Sequence, residues 1–184
     1  LVEADFADFR VTDMYQTADT GVTHVYLRQQ INGIDVLNRQ ANANILPDGQ
    51  VVLAFVDYAP GVDRSRFDSR PGLSAIAVAG RVADQLRLPI TEALYELDAS
   101  HGAGQALTLS DGGISEDPIP ARLVYVDTER YGLRLAWELL IDPVGRPNYW
   151  QLAADAETGE ILVQYDWTVE HNQADIALTD PRPL

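Results

Sequence analysis

The chain has 184 residues, 46% hydrophobic against 22% charged, with a formal net charge of −15 and a pI near 4.3. That composition is globular, too apolar for a disordered acidic tail, and its acidity without a basic stripe excludes nucleic acid and disfavours anionic membranes as partners. Zero Cys removes disulfides and thiolate metal sites, and no apolar run approaches the roughly 20 residues that span a bilayer. All 13 basic residues are Arg, which fits either GC-rich codon usage or a secreted or salt-adapted setting. The start at Leu1, without Met or a signal-like leader, suggests an excised or processed piece.

Taken in chain order, Val2, Phe6 and Phe9 stand at i, i+4 and i+7, which predicts a short amphipathic helix over 2–10. The period then changes to two. Val22 to Ile31 alternates as a strand, and Asn32-Gly33 favours the positive φ values of a type I′ turn into a returning strand, Ile34 to Leu37. A second pair, Ala41 to Leu46 and Gln50 to Val56, is joined at Pro47-Asp48-Gly49. Asp57 to Gly72, broken by two prolines and two glycines, reads as a connector. Leu73 to Leu88 is the best helix, ending before Pro89, and a weaker helical signal covers Thr91 to Leu97. Gly-rich loops follow at Ser100 to Gly104 and Ser110 to Pro120. Strands are then expected at Arg122 to Asp127, across the alternating Leu133, Leu135, Trp137, Leu139 and Ile141, and at Asn148 to Ala154 and Ile161 to Asp166. Thr168 to Leu184 reads as a polar tail. Helix followed by antiparallel strands occurs twice, which predicts an α+β fold.

The search for chemistry is negative. His24, His101 and His171 lack partners at metal-ligand spacing, and H-E-x-x-H, G-x-S-x-G and the phosphate-loop motif are absent. Gly102-Ala-Gly104 lacks the third glycine and the preceding strand of a dinucleotide site, so it reads as a loop. The three carboxylates of Asp155 to Glu160 lack calcium-loop spacing and read as a hairpin loop. Tyr125, Tyr131, Trp137, Tyr149, Trp150, Tyr165 and Trp167 fit cross-strand packing. No catalytic, cofactor-binding or metal-binding residue is assigned to this chain.

Two stretches carry a resemblance. Thr20 to Val36 with Ala41-Asn-Ala-Asn-Ile45 and Asp48-Gly49 resembles the fungalysin/thermolysin propeptide domain of fungalysin-type zinc metallopeptidase precursors. Arg122 to Tyr125, Leu135 to Glu138 and Asp155 to Ile161 look like the PepSY-type half that follows it. The resemblance implies two cystatin-like halves, each a helix packed on an antiparallel β-meander. The expected division is 1–70 for the propeptide-like half with its linker, 71–170 for the PepSY-like half, and 171–184 for a tail near a processing junction.

The resemblance further implies a secreted propeptide that acts as intramolecular chaperone and inhibitor of a metallopeptidase and is removed by proteolysis. The alternative is a free-standing secreted inhibitor or binding module of the same fold. On this reading the chain itself is not an enzyme, the full precursor is a zinc metalloendopeptidase, and zinc belongs to the catalytic domain, which is the cognate partner. The candidate docking segment is the C-terminal tail, with Trp167, Glu170, His171, Asn172, Asp175, Ile176 and Leu178. Residues 71–184 hold −11 of the charge, in the part nearest the expected junction.

Overall fold

Successive side chains of a strand point to opposite faces, and the computed structural model, which describes residues 8–168, places ten strands in one mixed sheet, from an exposed strand at one border to central strands buried on both faces. The first four, β1 (Phe9–Gln16), β2 (Thr23–Ile31), β3 (Ile34–Ile45) and β4 (Val51–Asp57), form an antiparallel meander. The connector 58–74 then leads to the helix α1 (Ala75–Leu86). Beyond it come β5 (Glu96–Ala99), β6 (Leu107–Leu109), β7 (Ile119–Thr128), β8 (Gly132–Ile141), β9 (Trp150–Asp155) and β10 (Ile161–Asp166). In space the order is β1-β2-β3-β7-β8-β9-β10, with β4 on β3, and β5 on β6, which pairs with β7. The β3–β7 contact, Val36 opposite Tyr125, is parallel, and it joins the meander to the rest of the sheet.

β3 serves two neighbourhoods. Its first residues pair with the end of β2 and with β7, whereas Gln40 to Ile45 lie between β2 and β4. Asn38, at φ 58, falls between them. Asparagine tolerates this left-handed conformation better than most residues, which lets the strand change direction without breaking.

One sheet face carries the main core. Ile119, Leu123 and Tyr125 of β7, Trp137, Leu139 and Ile141 of β8, and Leu152 and Ala154 of β9 pack with Ala75, Val78, Ala79, Val82 and Ala83 of α1. The small alanines let the helix lie close to the sheet. Ser74 caps the helix by accepting a hydrogen bond from the Ala77 N–H (3.2 Å), and Arg87 ends it in the left-handed conformation at φ 56. From its exposed side Arg81 donates to the Thr158 carbonyl (2.6 Å) and Gln85 to that of Gly159 (2.7 Å), clamping the β9–β10 loop. On the opposite sheet face Leu37, Val124, Val126, Ala136 and Ala153 form a smaller apolar cluster.

The expected α+β fold of two cystatin-like halves, each a helix on a meander, is overturned: the described residues hold one α-helix and one large, mostly antiparallel sheet. Residues 2–7 of the first expected helix lie outside the described residues, and Phe9 and Arg10 belong to β1. There they pair with Gln29 and Arg28, because backbone pairing with β2 outweighs a three-residue apolar stripe. The weaker helix at Thr91 to Leu97 is also absent. The Gly112 carbonyl accepts from Thr91 and Glu92, and Tyr95 exchanges bonds with Ser110, which draws the segment out into β5. The helix expected over Leu73 to Leu88 is present as α1, and the strands expected from β2 onward are present, with Ile34–Leu37 and Ala41–Leu46 fused into β3.

The Asn32-Gly33 turn has the geometry its dipeptide implies, at φ 53 and 78. Asn32 also donates to the Phe67 carbonyl (3.1 Å), tying the turn to the connector. Replacing Gly33 by alanine forces a side chain into the left-handed region, 3.2 Å from the Ala103 methyl group. The expected cost is about 1–2 kcal/mol, read as a lower urea midpoint with an unchanged slope.

Candidate functional site: an open polar face and the chain exit

Among the described residues no group of three or more His, Asp or Glu side chains is disposed to hold a metal ion. His24 stacks on Tyr15 at 4.7 Å between ring centres and engages Asn44 (2.7 Å) and Thr17 (2.9 Å) through its two ring nitrogens. It is a sheet residue. His101 lies in the β5–β6 loop, which holds Gly102 and Gly104, and His171 lies outside the described residues. The carboxylate of Asp155 is buried in the β9–β10 loop, where it accepts from Arg134 (2.8 Å) and from the Glu157 and Thr158 N–H groups (2.9 Å each). These bonds explain the acidic hairpin as a loop that binds its own backbone. Of the aromatic residues, Tyr125, Trp137 and Trp150 are buried, whereas Tyr131, Tyr149, Tyr165 and Trp167 are exposed.

What the sequence did not disclose is a line of polar side chains across the sheet face opposite α1. Arg10 of β1 donates to Asp35 of β3 (2.7 Å). Asp35 also accepts from Gln30 (2.9 Å) and from Arg122 of β7 (3.1 Å). Arg122 bonds Glu138 of β8, and Glu138 accepts from Gln151 of β9. Gln151 in turn accepts from the indole N–H of Trp167 (2.9 Å). Asp35 and Glu138 are only 6 and 5% exposed, so each ionised carboxylate depends on these partners. Burial pushes the Asp35 carboxyl up, but hydrogen bonds from Arg10 and Gln30 and the charges of Arg10 and Arg122 outweigh it and hold it below the usual range. A second junction, Arg39 to Asp57 of β4 (2.5 Å) and Asp127 of β7 (2.7 Å), joins the meander to the rest of the sheet. The one sequence signal for this network is a charge inside an apolar strand run, as at Asp35 between Ile34 and Val36, or Glu138 between Trp137 and Leu139.

Beside Arg122 and Glu138 a cleft of about 340 Å³ opens between β6, β7 and β8, lined by Ser100, Leu107, Thr108, Pro120 and Leu140. At the far end of the polar line the chain leaves the sheet. Trp167 donates its backbone N–H to the Tyr149 carbonyl (2.8 Å), and Asn148 donates to Asp166 (2.6 Å). Hydrogen bonds from the side chain and backbone of Thr168 push the Asp166 carboxyl down to about 2, so it stays ionised at any physiological pH. Of the tail residues expected to dock, Trp167 is exposed and anchored here. Glu170, His171, Asn172, Asp175, Ile176 and Leu178 lie outside the described residues.

By fold and site, the described residues form a sheet scaffold with a polar open face and a fixed chain exit, and they assemble no nucleophile, base or metal cluster. Residues 7–58, which span β1 to β4, match the Fungalysin/Thermolysin Propeptide Motif. Extracellular metalloproteinase mep of Aspergillus niger is 32% identical over 167 residues, covering 89% of this chain and 26% of the relative. Extracellular metalloproteinase 10 of Uncinocarpus reesii is 33% identical over 174 residues, covering 92% and 25%. A solved structure, the Bacillus megaterium YpeB C-terminal domain, aligns over 87% of this chain and 90% of that one at 10% identity, with a TM-score of 0.24 that carries no argument. The chain spans about a quarter of the length of the curated relatives it matches. Residues 7–58 thus carry the propeptide motif that the Thr20 to Val36 stretch resembles, and nearly all of the chain aligns with a quarter of these fungal metalloproteinases. The relatives are named as extracellular proteins, in keeping with the secreted location expected from that resemblance.

Proposed function

We propose that this chain is the prosegment of a secreted zinc metallopeptidase and acts as its intramolecular chaperone and inhibitor until proteolysis removes it. The observation that carries the reading is the shape of the match: nearly all of this chain aligns with a quarter of a metalloproteinase, and that quarter includes a propeptide motif. The remaining three quarters of such a precursor would hold the catalytic domain and its zinc. In this reading residues 1–70 form the motif-bearing part, residues 71–170 a PepSY-like second part, and residues 171–184 a tail near the processing junction.

Anchoring of Trp167 against Gln151 sets where the tail departs, so that the following residues can lie along a cleft as an extended peptide does. Covalent attachment raises the effective concentration to roughly millimolar, so weak contacts inhibit until the tether is cut. The same docking would help a peptidase of high kinetic stability to reach its native state.

The test adds the 184-residue chain in trans to the mature peptidase of the same precursor, and separately to the denatured peptidase during refolding. Inhibition and a higher refolding yield are expected; the absence of both removes the reading. Trp167→Ala is expected to weaken inhibition about tenfold, as loss of an aromatic anchor does, while thermal stability of the free chain stays within about 1 kcal/mol.

A further inference from the structure

β4 differs from the other borders of the sheet. It pairs with β3 alone, and its run Val51-Val52-Leu53-Ala54-Phe55-Val56 carries no charge before Asp57. Val51, Val52 and Phe55 each expose more than half of their surface. Free strand edges are normally protected by charges, bulges or short length. β1 has Arg10, Asp13 and a bulge between Val11 and Asp13; β5 is four residues long and holds Glu96 and Asp98; β10 is bulged and keeps Ile161, Leu162 and Val163 half-buried. β4 has a bulge of its own near its start, at Val52 between the Ile45–Val51 and Asn44–Leu53 pairs, and only beyond it does the register run unbroken, from Leu53 to Asp57 opposite Asn44 to Gln40, leaving a regular row of five residues' backbone groups along its other side. Ala54 and Val56 share a face with Ala43 and Ala41 of β3 and with Val25 and Leu27 of β2, so the edge borders an apolar surface.

We propose that β4 is a strand-addition site, whose free edge receives an uncharged extended segment from the peptidase portion of the precursor. This rests on the prosegment reading and names the surface that would make the contact. Main-chain hydrogen bonds would supply affinity, and the alternating side chains of β4 would supply register. Three observations favour this occupant. The relatives extend well beyond the aligned quarter, so a tethered partner is present at high local concentration. The propeptide motif ends at residue 58, one residue past β4, so the edge is part of the matched unit. A second copy of this chain is disfavoured, because two bodies of charge −15 repel.

The experiment compares the 184-residue chain with its Phe55→Lys and Val52→Lys/Phe55→Lys variants for binding to the separately produced mature peptidase. Calorimetry gives affinity, and hydrogen exchange gives amide protection in the wild-type complex. Affinity is expected to fall about tenfold or more in the variants, and amides of residues 51–57 are expected to gain protection on binding. Unchanged affinity in folded variants, or β4 amides that exchange as freely in the complex as outside it, overturns the proposal. Hydrogen exchange on the wild type decides the question even if a variant misfolds. A wild-type dimer that Phe55→Lys dissociates overturns it in favour of self-association. A wild-type chain that does not bind the peptidase at all defeats the prosegment reading itself, an outcome distinct from the others.

Discussion

Replacing Arg122 by alanine is expected to destabilise the free chain by about 2–3 kcal/mol at neutral pH. Among the described residues Arg122 is the one cation that touches both Asp35 and Glu138, and both carboxylates are almost fully buried. Removing one member of a buried pair typically costs about 3–5 kcal/mol, because a charge is left without its counterion. The expectation here is smaller for two reasons: the Arg122 side chain is itself over a third exposed, and Arg10, Gln30 and Gln151 remain to serve the two carboxylates. Arg122→Lys restores the charge without the planar fork, and should recover part of the loss.

The sign of the pH dependence follows from Asp35. Its folded carboxyl titrates below the ordinary value, so its contribution is fully present above about pH 4 and is lost as pH falls through the lowered folded value. The gap between wild type and Arg122→Ala should therefore be wide at pH 7 and narrow at pH 3. Urea denaturation at both pH values checks this. An equal gap at both would mean that Arg122 stabilises through its aliphatic stem and not through its charge.

Trp137→Ala is expected to cost about 3–5 kcal/mol, the range for truncating a buried large aromatic side chain. Trp137 is buried in the main core, opposite Leu123 of β7 and Ala154 of β9. Its indole N–H donates to the Leu73 carbonyl (2.9 Å), and the Leu73 N–H donates to the Ala156 carbonyl (2.8 Å). These two bonds fix the residue that leads into α1, so the substitution should loosen the helix as well as open a cavity. Trp137→Phe separates the two effects: it keeps most of the apolar volume, loses the bond to Leu73, and should cost about 1–3 kcal/mol. Hydrogen exchange in α1 should accelerate in both variants. Protection unchanged in Trp137→Phe would show that the Leu73 bond does not hold the helix entrance.

Much of this architecture was legible as local pattern. The strict alternation from Leu133 to Ile141 identified the strand β8, Asn32-Gly33 identified the turn between β2 and β3, and the apolar and alanine spacing from Leu73 to Leu88 identified α1. The two missed segments fail for the same physical reason. Phe9, the last residue of the first helical stripe, goes instead to the strand pairing of β1 with β2, while Val2 and Phe6 lie outside the described residues. Thr91 to Leu97 has helical spacing, but its N–H groups find Gly112 and Ser110, partners 15 or more residues away that no local helical window contains. The helix expected at the chain start is what turned one mixed sheet into an expected pair of helix-covered halves.

The polar face was invisible for a related reason. Asp35 and Arg122 are 87 residues apart, and Arg39 and Asp127 are 88 apart. Each looks like an ordinary surface charge until the parallel contact of β3 with β7 brings them together.

By itself the sequence determined the periodicity of β2 to β4 and of β7 to β10, the principal turn, the helix α1, the absence of familiar catalytic motifs and the propeptide motif, because each is written in residues close along the chain. Only the tertiary structure decided that the meander and the later strands share one sheet, that one sheet face pairs its charges across β1, β3, β7 and β8, and that β4 stands as a bare apolar edge. Those properties depend on which strands become neighbours, and pairing over long loops is decided by the summed burial and hydrogen bonding of the whole sheet, which no local segment encodes.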